Sequence, residues 1–387
     1  MSDYTNSVLN PEGGGCHESD AATLKDKVER HRNEEKVMEK VRLGKTNMMV
    51  SKLGLGGLQL QTVSEGEAIA IVKRCLELGI TFIDTADMYL NNEVPIGKAI
   101  SGQQDRVILA TKLFHPDCPS RTRKDVAGTL EGSLKQLGVE SIDLYQFHLV
   151  KDFDTLEMIL APDGAVAGVE DAKRRGLVKH IGITSHQIDV AKEAVKSGRF
   201  ETIQFPLNFV CSEAAEELLP LAREQDVGFI AMKALAGGVI QNVNIAFKYL
   251  FQFQDVVVIP GVKSTHEMEE ILQVVEGPLS MTEAEKVEMQ KLRQELWTKI
   301  CRRCDYCQPC PEEIPIGYVM STDIIAARMP PDQLFFGAFA DAMEKAPNCT
   351  KCGLCEERCP YGLPIMEVLE KNTEWYQAKK SISSTLK

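Results

Sequence analysis

Thr81-Phe82-Ile83-Asp84-Thr85-Ala86-Asp87-Met88-Tyr89 runs from a short apolar and β-branched segment into an acidic residue, and a tyrosine follows five positions later. Read as a buried strand over Thr81–Thr85, the stretch puts Asp84 at the strand's C-terminal end and Tyr89 on the loop beyond. That end of a strand is where an α/β barrel keeps its chemistry. A phenol works as an acid near neutral pH only when its pKa is lowered, so a cationic neighbour is required. Two later apolar runs end in polar residues, Val107–Leu113 with Lys112 and Ile142–His148 with His148.

Working outward, short apolar runs alternate with amphipathic stretches from Val41 to about Lys299. Strands are predicted over Ser51–Leu58, Thr81–Thr85, Val107–Leu113, Ile142–His148, His180–Thr184, Thr202–Phe205, Gly228–Lys233 and Val256–Ile259. Helices are predicted between them, among them Ser64–Leu78, Thr122–Leu137, Val166–Arg175, Ile188–Ser197, Ser212–Gln225 and Ile245–Phe253. Eight strands, each followed by a helix, predict an α/β fold of the (β/α)8 TIM barrel type rather than an open sheet. An open doubly wound sheet would carry Gly-x-Gly-x-x-Gly after its first strand. Gly54-Leu55-Gly56-Gly57 lacks that spacing.

Three segments follow from this pattern: a charged, mobile leader over 1–40, the barrel over 41–299, and a mainly helical tail over 300–387. Met281–Ile300 is expected to be one more helix, packing on the barrel or leading out of it. Ile314–Met329, Gln333–Lys345 and Ile365–Glu374 are the expected helices of the tail.

The 387 residues carry a net charge of −12, which argues against nucleic acid or an anionic membrane as partner. No apolar run approaches the ~20 residues that span a bilayer, so membrane insertion is not expected. Met1–Lys40 shows no basic-then-apolar signal pattern, and a cytoplasmic location is expected. Of 12 cysteines, eight crowd into Cys301–Cys359, while Cys16, Cys75, Cys118 and Cys211 are scattered. Disulfide frameworks belong to short secreted chains, so metal-bound thiolates in a reducing cytoplasm fit better.

Asp84 and Tyr89 in Asp-Thr-Ala-x-x-Tyr, Lys112 in Ala-Thr-Lys, and His148 in Asp-Leu-Tyr-x-x-His resemble the catalytic tetrad of the aldo-keto reductase family. The resemblance covers about residues 41–280, in order and on the second, third and fourth strands. It implies that Tyr89 donates a proton to a carbonyl oxygen as hydride arrives from NADPH or NADH. Lys112 would lower the Tyr89 pKa, Asp84 would hold the ammonium, and His148 would orient the carbonyl. Read singly, a loop tyrosine, an ion pair and a core histidine are ordinary structural features; four in register point to chemistry.

The resemblance extends to the cofactor. Ser185 in Thr184-Ser185-His186 matches a carboxamide contact, with His186 standing where the family keeps Asn. Gln204 matches the second carboxamide contact. Met232-Lys233 and Gly237 resemble the loop after the seventh strand, which is very short here and leaves a pyrophosphate less covered. Lys263 and Ser264 resemble the adenosine-phosphate loop and would favour NADPH, whereas Glu267, Glu269 and Glu270 nearby would suit NADH. His115 and Cys118, on the loop past Lys112, read as ordinary loop residues, and His180 as structural.

Cys301-x-x-Cys304-x-x-Cys307-x-x-Cys310-Pro311 and Cys349-x-x-Cys352-x-x-Cys355-x-x-x-Cys359-Pro360 resemble ferredoxin runs, the second with the bacterial spacing and the first shorter by one residue. In such runs the fourth cysteine ligates the other cluster. The resemblance implies two [4Fe–4S] clusters, one on Cys301, Cys304, Cys307 and Cys359, the other on Cys349, Cys352, Cys355 and Cys310. Structural zinc is the competing reading, but it leaves the two trailing Cys-Pro units unexplained. A branch of the family joins such a barrel to a ferredoxin-like tail, mostly in anaerobes.

The expected function is therefore NAD(P)H-dependent interconversion of a small carbonyl compound and an alcohol. Two alternatives stay open. The chain is an electron-transfer protein serving a redox partner, or its clusters feed a substrate bound at the barrel mouth. No flavin signature is visible to convert single electrons to hydride.

Overall fold

The computed structural model describes residues 38–89, 92–113, 123–327, 329 and 331–385, and residues from Met38 on form one compact unit. Most of the expected leader, and the loop residues His115 and Cys118, lie outside the described residues.

The unit opens with an antiparallel hairpin that was not foreseen, β1 (Lys40–Arg42) and β2 (Met49–Ser51), with Val41 opposite Val50. Eight parallel strands follow: β3 (Leu55–Gly56), β4 (Phe82–Asp84), β5 (Ile108–Leu113), β6 (Ile142–Phe147), β7 (Val178–Thr184), β8 (Thr202–Pro206), β9 (Gly228–Met232) and β10 (Val256–Val258). Each pairs with its neighbour in sequence. A parallel bridge of Leu53 with Val258, and the bond from the Gly54 N–H to the Val258 carbonyl at 2.8 Å, join first to last and close the barrel.

The segment predicted as one strand, Ser51–Leu58, divides: Ser51 belongs to the hairpin and only Leu55–Gly56 to the barrel ladder. Its glycines mark close approach of backbones. A Cβ on Gly56 would lie 2.8 Å from the Ile259 carbonyl oxygen, and one on Gly57 2.8 Å from that of Asp84.

Side chains alternate across each strand with a period of two. Outward residues such as Ile83, Leu109, Tyr145 and Ile203 pack beneath the helices in the main apolar core. Inward residues Phe82, Ala110, Leu144, Ile230 and Val257 fill the barrel's lower layer together with Val41, Leu43 and Val50 of the hairpin. Two residues further along the same inward face come Asp84, Lys112, Gln146 and Gln204, all buried. The barrel is thus apolar at the bottom and polar at the top, because each strand's inward face changes character near its C-terminal end.

Helices lie between the strands as predicted, for example Glu65–Glu77, whose Ser64 and Glu67 form a reciprocal capping box. Helix Glu283–Leu296 leads on to the tail. The expected Ile314–Met329 helix is instead two short ones, Ile316–Val319 and Thr322–Ala326. Ser321 Oγ donates to the Gly317 carbonyl at 2.8 Å and Thr322 Oγ1 to that of Val319 at 2.7 Å, competing with the helical ladder at the break. Helix Gly337–Lys345 and the final helix Ile365–Thr385, longer than predicted, close a second core around Val319, Phe339, Met343, Leu369 and Tyr376. Among the described residues, no helix is long and apolar enough to cross a membrane.

The hairpin seals the bottom through Gly44, at φ 51°, where an added Cβ would meet the Gly228 nitrogen at 2.1 Å. Arg42 pairs with Asp226 at 2.6 Å beside it. Gly44→Ala should therefore cost on the order of 2–4 kcal/mol of stability, read as a lowered denaturation midpoint. A midpoint equal to wild type would mean that this approach is not required.

Candidate active site and thiol clusters

Asp84, Lys112 and Gln146 project from the upper ends of the adjacent strands β4, β5 and β6 into the barrel. Lys112 Nζ lies 2.6 Å from Asp84 Oδ2 and donates to the Thr85 carbonyl at 2.6 Å. Gln146 Nε2 donates to Asp84 Oδ1 at 3.0 Å. Both charges are buried, with side-chain exposures of 0% and 3%, so neither is shielded by water. Burial works against the Lys112 ammonium, but Asp84 and Tyr89 outweigh it, and the lysine is held charged with its pKa raised. Burial likewise raises the Asp84 carboxyl, opposed by Lys112, Gln146 and Gln204.

Tyr89 is a hydrogen-bonding partner of Lys112. Its ring centroid lies 5.3 Å from Lys112 Nζ and 5.7 Å from the His148 ring, edge to face. The structure thus brings Asp84, Tyr89, Lys112 and His148 together at one mouth of the barrel. Gln146 joins them and was missed in the sequence. Its place two residues before His148, on the inward parity of the strand, reads in the sequence as ordinary alternation.

Ser185 Oγ donates to the Val150 carbonyl at 2.7 Å, which ties down the loop after β7. Gln204 sits beside Asp84 and contacts Met232 Sδ at 3.8 Å. Beyond β9, Lys233 has φ 61°, and its carbonyl accepts from Asn208 Nδ2 at 3.0 Å. Gly237 and Gly238 have φ 80° and 97°, conformations that favour glycine. Ser264 caps helix Thr265–Glu276, and Lys263 Nζ donates to the Ala327 carbonyl of the tail at 2.7 Å. His180 Nδ1 lies 2.8 Å from Glu201, at the opposite end of β7 from the tetrad.

The tail's thiols face two hollows. One is lined by Cys301, Cys304, Cys307 and Cys359. The other is lined by Cys310, Cys349, Cys352 and Cys355, and by Cys307 as well. Among the described residues, no three His, Cys, Asp or Glu side chains are gathered tightly enough to hold a single metal ion. A cubane cluster takes four thiolates at separate corners, and each hollow is lined by at least four thiols. Burial pushes the Cys304 thiol up to about 11, so thiolates form there only with cations to offset it.

Arg302 joins the first hollow to the barrel. Its guanidinium lies between the Trp297 and Tyr361 rings, 4.5 and 4.3 Å from their centroids. It donates to the carbonyls of Trp297, Ile300 and Val210 at 2.8, 2.6 and 3.4 Å. The Tyr306 hydroxyl donates to Asp189 at 3.0 Å. The thiol runs had drawn attention to cysteines alone, and neither contact has a sequence signal. Both hollows are lined entirely by tail residues, and Cys352 of the second is exposed.

Residues 52–244 match the aldo/keto reductase family, and residues 300–364 match the 4Fe-4S dicluster domain. An uncharacterized oxidoreductase of Bacillus subtilis, YqkF, is 31% identical over 212 residues, which are 52% of this chain and 67% of the relative. A probable aldo-keto reductase of Glycine max is 30% identical over 226 residues, 53% of this chain and 64% of that one. The chain thus spans about two thirds of the length of these relatives. Among solved structures, aldo-keto reductase AKR11C1 of Bacillus halodurans superposes with a TM-score of 0.56 at 27% identity, over 66% of this chain and 96% of that one. An aldo-keto reductase of Klebsiella pneumoniae, solved in complex with NADPH, gives 0.56 at 20% identity over 66% and 95%, a likeness of fold.

Removing one member of a buried pair leaves the other charge uncompensated. Lys112→Met should destabilise the chain by about 3–5 kcal/mol, and adding Asp84→Asn should recover part of it. Denaturant titration of wild type and these two variants checks this; a neutral Lys112→Met would show that the pair carries no buried charge.

Proposed function

We propose, on the premise that this chain belongs to the aldo/keto reductase family and carries a 4Fe-4S dicluster domain, that it interconverts a small aldehyde or ketone and the corresponding alcohol using a nicotinamide dinucleotide. The contact that carries this function is Lys112 bound to both Asp84 and Tyr89 at the barrel mouth, with the His148 ring alongside.

The dinucleotide, when bound, supplies hydride. Tyr89 holds the proton destined for the carbonyl oxygen, and the Lys112 charge favours the phenolate left behind. Asp84 and Gln146 keep the ammonium in place. His148 orients the carbonyl and shares its developing negative charge. Ser185, Gln204 and Met232 would hold the carboxamide end, Lys233 and Gly237 the pyrophosphate, and Lys263 and Ser264 the adenosine end. Glu269 is turned onto Arg74 at 2.7 Å, and Glu267 accepts from the Lys263 N–H. Glu269 is thus neutralised by Arg74, whereas Glu267 keeps its charge beside Lys263, so either NADPH or NADH suits this end of the site. The clusters, when bound, supply one-electron redox chemistry, and two sets of four thiols would hold them, as grouped around the two hollows. Thiols kept for this purpose suit a reducing cytoplasm.

A second function, transfer of electrons between a redox partner and the barrel site, is favoured by one observation. The first hollow is tied to the barrel through Arg302, while the second reaches the surface at Cys352.

Anaerobic oxidation of NADPH and NADH with an aldehyde and ketone panel, recorded together with cluster absorbance, separates the two. Tyr89→Phe should lower carbonyl-dependent turnover by about 10²-fold or more without weakening dinucleotide binding. Undiminished turnover would move the proton donor elsewhere. Bleaching of the clusters without a carbonyl, unaffected by Tyr89→Phe, would favour the electron-transfer function. Cys355→Ala should lose iron from the second hollow; unchanged iron content would sink the ligand grouping.

A further inference from the structure

We infer that the cluster domain completes the dinucleotide site of the barrel, with Arg303 as an anion-binding residue on its far wall. This rests on the dinucleotide-binding role proposed above. Between the end of β9 at Met232 and the next α-helix at Val243 the chain coils into a single turn, Ala236–Gly238. A turn of that size covers little of a pyrophosphate lying across Lys233 and Gly237. The space above it is an open hollow with Asn208, Lys233 and Gly237 on the barrel side and Cys301, Arg303 and Ile324 on the tail side. The missing cover is supplied by the other domain.

Arg302 and Arg303 are not equivalent there. Arg302 is consumed by three carbonyls and two aromatic rings. Arg303 has φ 58°, which turns the chain between the two thiols, and its guanidinium lies 4.9 Å from the Tyr318 ring centroid. Its charge, like that of Lys233, reaches His186 and Cys301. Asp305 is the carboxylate whose field meets Arg303 from the tail. Two cations from opposite walls, one a planar guanidinium, match the two phosphates of a dinucleotide better than Lys233 alone. A second tie runs from the adenosine end of the same site, where Lys263 donates to Ala327 of the tail.

Dinucleotide occupancy is therefore coupled to the first set of thiols, because Arg303 lies between Cys301 and Cys304 and its own N–H donates to Cys301 Sγ at 3.4 Å. The test is NADPH affinity of the iron-loaded protein, measured by titration calorimetry without any carbonyl, for wild type, Arg303→Ala and Arg303→Lys, with iron content alongside. Arg303→Ala should weaken binding about tenfold at unchanged iron content, with Arg303→Lys in between. Equal affinity of Arg303→Ala and wild type would overturn the inference while leaving the dinucleotide reading intact. Absence of NADPH and NADH binding to wild type would instead remove the reading beneath it. If Arg303→Ala loses iron, the decision passes to the dithionite-reduced wild type, whose electron paramagnetic resonance spectrum should change on NADPH addition; an unchanged spectrum would overturn the coupling.

Discussion

An ammonium and a carboxylate without access to water, Lys112 and Asp84, set the terms for the upper half of the barrel. Such a pair is tolerable only with close geometry and further hydrogen bonds to the remaining lone pairs and protons. The Thr85 carbonyl and Gln146 provide them. Each of these groups stands at the top of β4, β5 or β6, so the pair demands that neighbouring strands be in a fixed register. A slip of one residue in β5 would turn Lys112 outward into the apolar layer under the helices. Fold and site are in this sense one constraint.

The same strands explain why the lower half is dry. Phe82, Ala110 and Leu144 precede the polar residues by two positions on the same inward face, and the β1–β2 hairpin closes over them. A polar top over an apolar plug gives a site with a rigid floor. The tail then meets this top through Arg302, Tyr306 and Lys263, which touch Val210, Asp189 and Ala327 across the seam. What meets the barrel top is therefore a domain built around thiols.

Much of this was legible in the chain. Asp84, Lys112 and His148 end apolar runs in the sequence, and their register on adjacent strands, with Tyr89 beyond the first, is what singled them out. Gln146 was not legible, since one inward polar residue in Tyr145-Gln146-Phe147 looks like ordinary alternation. The hairpin was hidden because Lys40–Arg42 mixes charge with a single buried valine, which only its docking on the barrel bottom makes into a strand. The break between Val319 and Thr322 was hidden as well, because hydroxyl groups that compete for helical carbonyls act only once the turn has formed.

By itself the sequence determined the number and order of the barrel strands, the polar residues near their ends and the two thiol runs, because these depend on periodicity and spacing along a local stretch of chain. Only the tertiary structure decided closure of the barrel, where Leu53 meets Val258. It alone decided which wall faces Lys233, where Arg303 stands across the hollow. Contacts of that kind join residues far apart in the chain, and their geometry follows from how whole domains pack, which no local pattern encodes.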